Sequence, residues 1–157
     1  MGSRKAETMT RSDNRDLQLA VRLLEECDDT FVAVRAETLV FRSKARGVAP
    51  VFEAMGARVS LSGAVVADRV IGRAMALLLA GEGVRLVYGQ TVSTPARVFL
   101  NARGLFAGAG REVPGIRNRA GDGPCPMEQA TMDIEDPAKA LAVVGAIRRD
   151  LMGHGRG

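Results

Sequence analysis

The chain predicts an α/β domain, a three-layer α/β/α sandwich with helices on both faces of a mixed central sheet. Three observations lead to that class. Apolar residues recur at helical spacing in several separate segments, short β-branched runs stand between them, and Gly or Pro marks most of the changeovers. With 157 residues, 46% apolar and 25% charged, the chain has the size and composition of one globular domain with an ordinary core. Residues 1–12 read as a polar tail, 13–152 as the single domain and 153–157 as a frayed end.

The first element is a helix from Asp13 to about Cys27, with Leu17, Leu19, Ala20, Val21, Leu23 and Leu24 at helical spacing and Asp13 or Asp16 as its cap. Thr30–Val34 and Thr38–Phe41 are β-branched runs across a turn-sized gap and predict a hairpin. A basic loop at Arg42–Gly47 precedes a short helix from Pro50 to Met55. Residues 64–80 are apolar on most sides, and the pattern predicts one buried helix that Gly81 and Gly83 stop. Arg85–Val92 is the clearest strand. Thr94-Pro95 opens a helix to about Ala102, with Ser93 or Thr94 as cap. Leu105–Ile116 reads as a weak strand or loop. A cysteine helix follows over Cys125–Met132, and Asp136-Pro137 starts the last one.

Charge and composition exclude several roles. The net charge of +4 comes from clusters at Arg4, Lys5 and Arg11, at Arg42, Lys44 and Arg46, and near Arg111, Arg117 and Arg119. These are either solvated surface or, for the two internal clusters, groups converging on an anionic ligand. Five Phe, one Tyr and no Trp leave little to stack on bases, so nucleic acid is an unlikely partner. Asp68, Arg69 and Arg73 interrupt the longest apolar stretch, which argues against a membrane span. Two cysteines without a secretory leader point to reduced thiols and a cytoplasmic setting.

Residues 117–128, Arg-Asn-Arg-Ala-Gly-Asp-Gly-Pro-Cys-Pro-Met-Glu, concentrate the chemistry. Gly121 and Gly123 shape a tight turn that delivers Cys125 to a helix start. Pro126 suits the first helical position, and Glu128 stands where a carboxylate reaches back to the cap's own N–H. A thiol there faces unpaired amides that favour thiolate. The plainer reading makes Cys125 an inert, half-buried cap. Asp68 and Arg69 read either as an internal ion pair or as pocket residues, Arg69 gripping an anion that Asp68 orients. Arg73 would extend that basic face. Asn118 braces the turn or joins the pocket, and Arg119 pairs with Glu128 or grips a carboxylate or phosphate. Cys27 reads as core.

The blocks Gly63-Ala-Val-Val-Ala-Asp-Arg-Val-Ile-Gly-Arg-Ala74, Val92-Ser-Thr-Pro-Ala96 and Asn118-Arg-Ala-Gly-Asp-Gly-Pro-Cys-Pro-Met-Glu128 resemble a small prokaryotic family. It is the domain of unknown function numbered eighteen-ninety-three, and the likeness spans roughly Asp16 to Leu151. The resemblance implies a cytidine deaminase-like topology, with ligand-handling residues at the starts of two adjacent helices. Zinc deaminases of that fold use His-x-Glu and Pro-Cys-x-x-Cys. Here the corresponding places hold Asp68 and Arg69, and Pro95-Ala96, while the lone histidine is His154. A zinc-free domain is therefore expected, with no metal or other cofactor. It would bind a small anionic or nucleotide-like molecule through Arg69, Ser93, Asn118, Arg119, Gly121 and Gly123. Cys125 would be nucleophile or sulfur-handling thiolate, with Glu128 and Asp68 assisting. The alternative is a non-catalytic sensor or accessory domain that lost its metal. Folds of this kind often form homo-oligomers, although no interface is legible.

Overall fold

A computed structural model describes residues 9–154. Of the tails expected at 1–12 and 153–157, residues 1–8 and 155–157 lie outside the described residues. Among the described residues, six helices and five strands follow one another as α1 (Arg11–Glu26), β1 (Phe31–Arg35), β2 (Thr38–Ser43), α2 (Ala49–Gly56), β3 (Val65–Ile71), α3 (Arg73–Gly81), β4 (Leu86–Ser93), α4 (Thr94–Ala102), β5 (Phe106–Val113), α5 (Pro126–Ala130) and α6 (Pro137–His154). The sheet order is β2-β1-β3-β4-β5. Strand β1 runs antiparallel to β2 and β3, while β3, β4 and β5 are mutually parallel. The mixed sheet has helices on both faces, as expected.

Alternation along β1 divides the interior. Val32 and Val34 join Ala67, Ala20 and Leu24 beneath α1. Phe31 and Ala33 join Val66, Val87 and the buried faces of α2, α3, α4 and α6 in the larger core. Among the described residues, no helix is long and apolar enough to cross a membrane.

The first helix begins two residues before the expected boundary, so residues 11 and 12 belong to the domain rather than to a tail. Its cap is Thr10, whose hydroxyl accepts from Asp13 N (3.0 Å) while the Asp13 carboxylate accepts from Thr10 N (3.0 Å). That reciprocal pair is a capping box. Asp13 thus stands at the third helical position, and it also receives Arg85 from across the fold. Asp16 instead accepts from Ala36 N (3.1 Å) and Glu37 N (2.7 Å). Those two residues form the hairpin turn with φ of 52° and 59°, a left-handed conformation that non-glycine residues adopt only when held.

One expected element is corrected. Residues 64–80 are not a single helix but β3, a one-residue joint at Gly72, and α3. A strand buried on both faces shows no alternation, so Val65, Val66 and Ala67, all fully buried, match a buried helix equally well by pattern. Gly72 is extended (φ −97°, ψ 177°) and ends the strand. Val66 and Ile71 both enter the larger core, as do Val87 and Val92 in β4. Strict alternation sends residues five apart to opposite faces, so each strand slips once near its carboxyl end. The slip leaves no room at Gly89, where an added Cβ would stand 2.6 Å from Val92 Cγ2 and 2.9 Å from Ile71 Cγ1. Gly89→Ala is expected to cost about 1–3 kcal/mol through overpacking. Urea denaturation measures it, and an unchanged midpoint would refute this account of the slip.

Candidate functional site

Strands β3 and β4 run side by side and lead at once into α3 and α4, each nine residues long. The amide-bearing starts of both helices therefore sit over adjacent strand ends, where open α/β sheets commonly bind ligands. Gly72 caps α3 without a side chain. Ser93 caps α4, its Oγ accepting from Ala96 N at 3.2 Å.

A carboxylate from farther along the chain fills the space between them. Glu128, 6% exposed, accepts through Oε2 from Arg73 N (2.8 Å) and from the Ser93 hydroxyl. Its Oε1 accepts from Ile116 N at 2.6 Å. Glycine at position 72 permits the approach, since an added Cβ would stand 3.2 Å from Glu128 Oε2 and 3.1 Å from Ile116 Cγ1. The expected capping box is thus absent. Cys125 N donates to Ile116 O (2.8 Å), and the Glu128 carboxylate turns to other elements. Nor does Arg119 pair with it; Arg119 is exposed in the outer turn.

Cys125 is the N-cap of the five-residue α5, followed by Pro126, and is half-buried. Its thiol caps no amide. The preceding turn is self-contained: Asn118 Nδ2 donates to Asp122 Oδ1 (3.0 Å), Asn118 N to Gly123 O (2.8 Å) and Gly121 N to Asn118 O (3.0 Å). Gly121 has a φ of 75°, which explains a glycine there. Asn118, Gly121 and Gly123 therefore shape the turn.

Asp68 and Arg69 are neighbours on a strand and so diverge. Asp68 pairs with Phe31 in register and shares its face; it is 5% exposed. Oδ1 accepts from Val70 N (3.1 Å), while Oδ2 has no partner among the described residues. Burial pushes its carboxyl up to about 8, against the lowering effect of the Val70 and Arg69 amides and the Arg69 charge. Arg69 crosses to the α1 face. Its guanidinium donates to Leu24 O, Cys27 O and Asp29 O, each at 2.8 Å, and to Gln90 Oε1 at 3.2 Å. It closes the end of α1, where a cation complements unpaired carbonyls. The structure does not bring Asp68 and Arg69 into one pocket.

The two internal basic clusters do not converge either. Arg42 lies on β2 and Arg111 on β5, the opposite edges of the sheet. Arg42 is held by Asp29, with Nε donating at 2.7 Å. A surface hollow of about 380 Å³ lies elsewhere, between α1 and the hairpin turn, and is lined by Arg15, Gln18, Leu19, Arg22 and Glu37. It is open to solvent, and apart from the half-buried Leu19 its lining is exposed side chain.

Sequence reasoning missed the second function of Gly72-Arg73. The Arg73 side chain, 5% exposed, donates to Thr131 O (2.7 Å), Ile134 O (2.5 Å) and Glu135 (2.7 Å), with its guanidinium carbon 5.3 Å from the Phe99 ring centre. One residue thus meets α5 by its backbone and the following turn by its side chain. A glycine breaking a β-branched run just before an arginine was the available signal.

The architecture and this junction define a mixed α/β sandwich with paired helix starts over parallel strand ends. The family described as TM1506, domain of unknown function (DUF1893), matches residues 19–147, and the chain belongs to it. A crystal structure of a DUF1893 family protein (TM1506) from Thermotoga maritima, at 2.70 Å resolution, is similar with a TM-score of 0.74 and 26% identity. The match covers 83% of this chain and 88% of that one. No curated protein matches.

Proposed function

We propose that the domain is a zinc-free relative of the cytidine deaminase-like fold that binds a small anionic or nucleotide-like molecule over the ends of β3 and β4. The strand order, with β1 antiparallel and two helices leaving adjacent parallel strands, supports that fold name. The observation that carries the ligand class is the seat of Glu128. Amide and hydroxyl donors from both helix starts already accommodate a carboxylate, so the junction has the polarity that an anion requires. Cys125, three residues from Glu128 and partly accessible, is the nucleophile or sulfur-handling thiolate of this reading. Two half-buried free cysteines fit a reducing cytoplasm.

A second reading, a non-catalytic sensor or accessory domain, is favoured by one observation. The Arg69 guanidinium and both Glu128 carboxylate oxygens are each engaged by protein groups, which leaves neither poised for chemistry. Iodoacetamide labelling followed by intact mass, with Cys125→Ser as control, separates the two. The catalytic reading expects selective labelling at Cys125 and a Cys125→Ser variant with nearly unchanged Tm. It also expects inorganic phosphate, small carboxylates or nucleoside monophosphates to raise Tm by about 2–4 °C, as binding to the native state does. Stabilisation without selective labelling favours the sensor. No stabilisation by any of these probes overturns both.

A further inference from the structure

Between β5 and α6 the chain runs from residue 114 to 136 with only the five-residue α5 as regular structure. Most of its side chains are exposed or half-buried; Glu128, Thr131 and Ile134 are the buried ones. Its polar attachments fall into two sets. Glu128 holds the outer half through Arg73 N and Ser93 on the body and Ile116 N within the strap itself. Arg73 holds the inner end through Thr131 O, Ile134 O and Glu135, and Arg103 adds a bond to Glu135 O (3.0 Å). Apolar contact from the outer half comes chiefly from Met127, partly buried against the core, and from Ile116 near Gly72.

The two sets differ in kind. The inner end is pinned by a buried guanidinium with bonds to Thr131, Ile134 and Glu135. Among the described residues, the outer half's hydrogen bonds to the body all run through the Glu128 carboxylate, and its own turn at 117–124 is closed internally by the Arg117–Pro124 bridge. Such a segment separates without disturbing the sheet, because its internal bonds travel with it. We propose that residues 114–130 are a strap that opens as a unit about the Arg73 pin, with Glu128 as its latch. Opening carries Cys125 away and uncovers the starts of α3 and α4. Its bearing on function rests on the ligand-binding reading above, but its test reads amides and needs no ligand.

Native-state hydrogen exchange on the full chain provides that test. The Arg73 amide lies across the strap's contact with the body, those of Ile116 and Cys125 lie within the strap and travel with it, and Val87 N is bonded to Leu105 O where β4 meets the start of β5. Arg73 N is expected to exchange about 100-fold faster than Val87 N and with little urea dependence, as local opening requires, while Ile116 N and Cys125 N keep the protection of the strap's internal bonds. Glu128→Gln, which keeps one carbonyl oxygen and turns a donor towards the other N–H, is expected to speed Arg73 a further ~10-fold and leave Val87 unchanged. Exchange of Arg73 and Val87 at one rate with one urea dependence in the wild type, or of Ile116 and Cys125 as fast as Arg73, would overturn the strap. So would a variant that accelerates Val87 equally.

Discussion

Replacing Asp68 with Asn is expected to flatten a fall in stability between about pH 4 and pH 8. The Asp68 carboxyl is buried, one of its oxygens has no partner among the described residues, and burial raises it from 3.8 to about 8. Across that window the folded protein keeps a proton that the unfolded chain has released. The unfolded state binds fewer protons, so stability declines as pH rises and levels off above about 8. A shift of about four units corresponds to a decline on the order of 5 kcal/mol. Asn has the same shape, carries no proton to lose, and retains an oxygen for Val70 N. The variant should match the wild type near pH 4 and exceed it progressively towards pH 8.5. Asp13 acts in the opposite direction but elsewhere. Its bond to Arg85 holds it at about 2, so its stabilisation is lost only as pH falls from about 4 towards 2. Urea unfolding at pH 4.5, 6.5 and 8.5 checks the difference, and parallel curves for the two proteins would show that Asp68 does not titrate with folding.

The same residue shows where reading from sequence stops. Helix α1 was legible because it is half-buried, which leaves a period in the pattern, and the β1–β2 hairpin because its β-branched runs flank a turn-sized gap. Strand β4, helix α4 and the start of α6 were legible through Ser93, Pro95 and Pro137. Strand β3 was not, because burial on both faces erases alternation. That single misreading carried into the site. On a helix, Asp68 and Arg69 can share a pocket rim; on a strand they leave the sheet on opposite sides. Glu128 failed for a different reason. Its position after Cys125 suggested a local cap, yet its partners lie 12, 35 and 55 residues away. Local capping rules carry no information about contacts at such separations. The cysteine turn itself, by contrast, was well specified by its own glycines and prolines.

Arg73→Met is the second large effect, and it follows from that long-range wiring. Methionine keeps an unbranched apolar stem over Phe99 but offers no donor to Thr131 O and Ile134 O. Leaving such acceptors unpaired costs about 1–3 kcal/mol each where they are buried, so a total loss of roughly 3 kcal/mol is expected. Lysine should rescue little, because one ammonium cannot reproduce a fork that reaches two carbonyls at once. The ion pair is a minor part of the contact. Glu135 has a side chain that is 79% exposed, and Glu135→Gln should change stability by less than about 0.5 kcal/mol. Urea midpoints for the three variants therefore separate carbonyl capping from charge pairing. Equal losses for Arg73→Met and Glu135→Gln would mean that the ion pair, not the carbonyls of the α5–α6 turn, is what Arg73 contributes. A large loss confined to the arginine variants would establish that turn as a fixed point of the fold, the anchorage that a strap hinged at its inner end requires.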